Sequence, residues 1–157
     1  MAQNVISTAI LIIAAVVAVV ALINGVFPSV YQMSGSITSV STASNDRMKT
    51  EIKIIYESAN QTDHSINVYV KNTGDQKITA ARIGQTDVYF GAGDAIERSS
   101  SEAWDWSIEN GNGDATWDPG ETLDIWLRTA SHDFTVPGQR VKIVLYNGVG
   151  DEATFTL

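Results

Sequence analysis

No Lys, Arg, Asp or Glu occurs before Asp46, and all 10 basic and 18 acidic residues of this 157-residue chain follow that point. Within the charge-free stretch, Val5 to Phe27 reads VISTAILIIAAVVAVVALINGVF, with only Ser7, Thr8 and Asn24 clearly polar. As a helix this run spans about 35 Å, against a hydrocarbon core of roughly 30 Å. What remains of the chain is too small to surround such a helix on every side, as a soluble core would. A signal peptide needs a basic n-region, a shorter apolar core and a small-residue cleavage site. The first basic residue is Arg47, so a retained membrane-spanning helix over residues 1–28 is expected. The positive-inside rule is nearly silent, because Lys and Arg are absent close to the span. With almost nothing before the span, the N-terminus is expected inside and the following domain outside.

Pro28 should bend or stop the helix near Phe27. Beyond it, Val30, Met33, Ile37 and Val40 recur at heptad-like intervals among Ser, Thr and Gln, which predicts a helical stem or linker over residues 29–48. Gly35 and the β-branched residues weaken that helix in isolation, so a partner helix would stabilise it. Alanines at 14, 15, 18 and 21 supply small residues for close helix approach in lipid.

From residue 49 the period changes to two. Thr50, Ile52, Ile54 and Tyr56 alternate with Glu51, Lys53, Ile55 and Glu57; Ile66, Val68 and Val70 continue the pattern before a turn at Asn72-Thr73-Gly74. Further strands are expected over 77–83, 86–90, 104–108, 123–127, 141–145 and 153–157, the last closing on Leu157. About eight short strands separated by turn residues predict an all-β sandwich of immunoglobulin-like size over 49–157. The fold class is therefore an N-terminal hydrophobic α-helix plus an immunoglobulin-like β-sandwich. Trp126 falls out of phase with its strand's apolar face, so it is either covered by the Ser99–Ser101 loop or exposed as a binding anchor. Strands 66–70 and 141–146 are candidates for edge pairing between subunits.

The one dense polar constellation runs from Asn110 through Asn112, Asp114 and Asp118 to Glu121. These oxygens approach the spacing of a calcium loop, with Asn110 in place of Asp and Ala115 in place of Gly. The stretch reads either as a surface turn or as a weak extracellular Ca²⁺ site; no other cofactor is expected. Both histidines sit beside aspartates, His64 after Asp63 and His132 before Asp133, and are expected as solvated loop residues. Neither a nucleophile elbow nor a phosphate-binding loop is present, so an enzyme is not expected. A net charge of −8 repels nucleic-acid phosphates. With no Cys there are no disulfides, thiol catalysis or Cys-based metal sites.

The segment ISTAILIIAAVVAVVALINGVFPSVY, KNTG at 71–74, WDPGETLDI at 117–125 and LYNGV at 145–149 occur in this order along the chain. In these features the chain resembles the FlaG/FlaF family of archaellum accessory proteins, which is type IV pilin-like. The resemblance implies a motility component in the archaeal cytoplasmic membrane with a sandwich outside, beneath or against the S-layer. It implies a FlaF-type partner, contact with an S-layer or envelope protein, and a link to the archaellum filament and motor platform. Self-association is expected as a homo-oligomer or filament. No catalytic residues come with the resemblance. The rival in the same lineage is the filament subunit, the archaellin, made with a basic pre-sequence; here Met1-Ala2-Gln3-Asn4 carries no Lys or Arg. A Ca²⁺-dependent surface-binding module is the reading from a different class.

Overall fold

A computed structural model describes residues 2–156; Met1 of the N-terminal motif and Leu157 of the expected last strand lie outside the described residues. The chain divides between Ala43 and Ser44 into two compact units. Helix α1, Ala2–Lys49, supplies all of the described part of the first unit and the opening turns of the second. Its 48 residues correspond to about 72 Å. Pro28 lies inside it and neither ends it nor separates span from stem. The ring removes one donor, and Pro is tolerated in apolar helices where the freed carbonyl finds another partner.

Every side chain from Asn4 to Ala43 is exposed in the single chain. Val30, Met33, Ile37 and Val40 are 55–68% exposed, so the heptad stripe has no intramolecular partner. The stem's hydroxyls fold back on their own helix: Thr38 and Thr42 donate to the carbonyls of Ser34 and Thr38 at 3.0 and 2.9 Å, and Ser36 donates to Gln32 at 3.0 Å. A Ser/Thr-rich stem thus presents little unsatisfied polarity.

The second unit holds β1 (Ile52–Asn60), β2 (Ser65–Asn72), β3 (Ile78–Thr79), α2 (Ala80–Ile83), β4 (Asp87–Ala92) and β5 (Ala95–Arg98). These are followed by β6 (Trp104–Ile108), β7 (Thr116–Trp117), β8 (Thr122–Arg128), β9 (Gln139–Val144) and β10 (Gly150–Phe155). Two four-stranded antiparallel sheets, β1-β2-β8-β6 and β10-β9-β4-β5, enclose the core. Ile66, Val68, Leu123 and Ile125 from one sheet and Val88, Val141 and Ile143 from the other are 0–1% exposed. The expected two-layer sandwich is present, with alternate residues buried along β2 and β8.

Three local expectations are corrected. Residues 77–83 form no single strand: β3 pairs with β7 for two residues, after which Ala80–Ile83 turn helically and bury Ile83. In β1 the register slips between Ile54 and Tyr56. This bulge puts two residues opposite one and moves Tyr56 to the exposed face. Finally, 66–70 and 141–144 are interior strands, each paired on both sides. The sheet edges are β1 and β6 in one sheet and β10 and β5 in the other. At one side Asp151 Oδ2 accepts the Ile54 amide at 2.8 Å, so a β10 side chain stitches the β1 edge. The β5 edge, Ala95–Arg98, is exposed throughout.

Candidate functional site

Two of the motifs that carry the family resemblance in the domain, KNTG and LYNGV, converge on the end of α1. In KNTG, the Asn72 amide group donates to the Gln76 and Trp117 carbonyls at 2.9 and 3.2 Å. A Cβ on Gly74 would collide with the Lys49 carbonyl and the Glu51 amide, so only glycine admits this approach to the helix terminus. The amides of Asp75 and Gln76 then donate to Lys49 O at 2.8 and 3.1 Å, satisfying a terminal carbonyl. From LYNGV, the Tyr146 hydroxyl donates to Asp46 Oδ2 at 2.9 Å, and Asn147 donates to Thr50 Oγ1 at 2.9 Å. Arg82 closes the cluster. It donates to the Tyr146 oxygen at 3.0 Å, stacks 4.6 Å from that ring and lies 3.7 Å from Asp46. Burial first, and the bond to Asp46 next, push the Tyr146 phenol up. Asp46, Arg82 and Tyr146 are separated by dozens of residues, which is why no local spacing reveals the cluster.

The third motif, WDPGETLDI, builds the loop read as a cation candidate. Trp117 is fully buried and donates through Nε1 to the Glu121 carbonyl at 2.9 Å. Glu121 accepts the amides of Asn112 at 3.2 Å and Asp118 at 2.8 Å. Asn110 accepts the Thr122 amide, Asn112 the Asp114 amide and Asp114 the Thr116 amide, at 2.7–3.0 Å. Asp118 Oδ2 takes Lys77 at 2.6 Å, a bond that raises the lysine pKa, while Oδ1 is buried without a partner. Ala115, where a calcium loop carries Gly, has φ of 27°. The five residues therefore share one loop, with most of their oxygens turned onto backbone amides. Among the described residues, no three His, Cys, Asp or Glu side chains are placed to hold a metal.

The histidines are packed rather than solvated. His132 lies edge-on between Phe90 and Phe134, with ring centroids 5.3 and 5.0 Å away, and its Nε2 meets Gln139 Oε1 at 2.8 Å. His64 Nδ1 meets the His132 carbonyl at 3.2 Å. Among the described residues neither ring bonds a carboxylate or a hydroxyl. The neighbouring Asp133 is occupied by Thr135, whose hydrogen bonds hold its carboxyl below the usual range.

Trp126 is 41% exposed and stacks against Arg128, whose guanidinium carbon is 4.3 Å from the ring centroid, rather than lying under the Ser99–Ser101 loop. Along α1, one segment is long and apolar enough to cross a membrane, with a mean hydropathy of 3.0 and no burial within the chain.

Comparison with known proteins places these features. The domain fold is similar to the archaellum periplasmic stator protein FlaG from Sulfolobus acidocaldarius. The identity is 20% and the TM-score 0.54, over 68% of this chain and 99% of that chain. The FlaF and FlaG stator complex of the same organism gives 21% and 0.54, over 68% and 89%. The archaeal flagellum of Methanospirillum hungatei strain JF1 is matched with a TM-score of 0.67 at 17% identity, over 97% of this chain and 92% of that one. An uncharacterized protein of Archaeoglobus fulgidus is 37% identical over 154 residues, 95% of both chains. The profile of the archaeal-type flagellin family covers residues 2–157, and the chain belongs to that family.

Proposed function

We propose that this chain is a non-enzymatic structural component of the archaellum, anchored by its apolar helix with the β-sandwich outside the cytoplasmic membrane. In this reading the sandwich pairs with a FlaF-type partner and connects motor and filament to the S-layer or another envelope protein. The observation that carries the accessory reading is a sandwich that follows the FlaG fold over 99% of that chain. The helix supports anchoring: from Asn4 to Ala43 it is exposed on every side, a surface that lipid or neighbouring helices must cover. The test is co-expression of the full chain with its FlaF-type protein, followed by affinity capture in detergent. A stoichiometric complex is expected. A chain that ignores that protein and polymerises alone sinks the accessory reading.

The filament-subunit reading is favoured by a separate observation. The match to the Methanospirillum flagellum takes in the helix as well as the domain, over 97% of this chain. Electron microscopy of the purified full chain separates the two, since only the filament subunit forms long helical polymers without a partner. Ca²⁺ at the 110–121 loop is a further proposal, supported by the oxygen spacing and by the unpartnered Asp118 Oδ1. Titration calorimetry with Ca²⁺ on wild type and Asp118→Ala tests it, and an absence of heat in the wild type removes it.

A further inference from the structure

The outer face of the β1-β2-β8-β6 sheet carries a band of side chains that neither the core nor the helix joint uses. Register aligns Tyr56 with Tyr69 and Ser58 with Asn67 across β1 and β2. The band continues from Asn67 to Trp126 and from Tyr69 to Asp124 on β8, and from there to Asp105 and Ser107 on β6. Two grooves follow it. One, of about 480 Å³, runs past Tyr56, Ser58, Asn60, Asn67, Tyr69 and Trp126. The other, of about 270 Å³, is lined by Asn67, Asp105, Trp106, Ser107, Asp124 and Trp126. They share Asn67 and Trp126, and no aliphatic side chain lines either.

We propose that this face binds a neutral oligosaccharide chain carried by another molecule. The exposed rings of Tyr56 and Trp126, the latter with one face on the Arg128 guanidinium, and the half-buried ring of Tyr69 offer flat apolar surfaces for the C–H faces of pyranose rings. Hydroxyl, amide and carboxylate groups stand between them, so each sugar hydroxyl meets a donor or acceptor. The Tyr56 and Tyr69 rings, 5.9 Å apart and inclined at 50°, make a faceted platform that suits a chain better than one flat ring. Three aspartates, at 63, 105 and 124, line the two grooves, and they repel anionic sugars. Tyr and Trp are also enriched in protein interfaces, but interface cores are depleted in the Asp and Ser that separate the rings here, so this mixed band suits a sugar chain better than a protein partner. The inference does not depend on FlaF pairing.

The test uses the full chain in a detergent without a sugar headgroup, titrated with cellohexaose and mannohexaose and followed by calorimetry and tryptophan fluorescence. Saturable binding of at least one hexasaccharide at millimolar concentration or below is expected. Trp126→Ala and Asn67→Ala should each weaken it by about tenfold or more. Ile96→Ala, on the exposed β5, should leave it unchanged. Absence of saturable binding to both hexasaccharides overturns the proposal, as does wild-type affinity in both groove variants. Asn60-Gln61-Thr62 at the groove rim has the pattern of an N-linked glycan acceptor, so intact mass is measured on protein from an archaeal host. If Asn60 carries hexose, and added chains bind only after Asn60→Gln, the groove belongs to the chain's own glycan and the external source is overturned.

Discussion

At position 121 a carboxylate is buried beside Trp117, and its two oxygens accept the backbone amides of Asn112 and Asp118 from either side of the loop. Removing it strands two donors in a partly dry environment, at roughly 1–3 kcal/mol for each unsatisfied group. Glu121→Ala should therefore lower stability by about 2–4 kcal/mol, read as a lower urea midpoint with an unchanged slope. Asp124 behaves in the opposite way. Burial first, and the charge of Glu109 next, push its carboxyl above the ordinary range. Its folded pKa exceeds the unfolded one, so the folded state holds the proton more tightly and stability falls as pH rises through the folded value. Asp124→Asn should raise the melting temperature at neutral pH, and the gain should fade as the pH drops below the ordinary carboxylate range. At this scale the spacing from Asn110 to Glu121 was visible in the sequence. The direction in which each oxygen points was not, because it depends on backbone turns such as the positive φ of Ala115.

Among the elements, the end of α1 is the one whose stability is set from outside itself. Asp46, Arg82 and Tyr146 tie its final turns to the domain. Tyr146→Phe removes two hydrogen bonds and should cost about 1–2 kcal/mol. Combined with Asp46→Ala, the losses should be less than additive, because both changes break one network. The raised Tyr146 phenol adds a pH signature: stability at this joint is complete below the ordinary tyrosine pKa and declines as pH climbs through the raised folded value. An alkaline denaturation series whose slope is shallower in Tyr146→Phe than in wild type checks it. Most strands could be read from alternation, since one face of each lies on the core. The exceptions have identifiable causes. The bulge after Ile54 changes the phase of β1, and residues 80–83 coil because Ile83 must reach the core from a short crossover. Edge positions were unreadable, because pairing between β2 and β8 or between β4 and β9 joins segments far apart in sequence.

Over the whole chain, two units with different solvent requirements are joined covalently. The first is apolar and exposed along Asn4–Ala43; the second has its own closed core. The full chain should therefore need detergent or self-assembly to stay in solution, whereas residues 44–157 should remain dispersed without detergent. Analytical ultracentrifugation of both preparations decides this, and a full chain that sediments as a lone monomer in plain buffer counts against the anchor. The sequence alone determined the partition, because hydropathy and charge are sums over neighbouring residues and need no folded context. It also determined the sandwich, since period-two burial is a local pattern. The tertiary structure alone decided which strands form the edges, where Tyr56 faces, what covers Trp126, and how two separated motifs meet at the helix end. Those outcomes depend on contacts between distant segments, and such contacts form only when both sheets have closed on a common core.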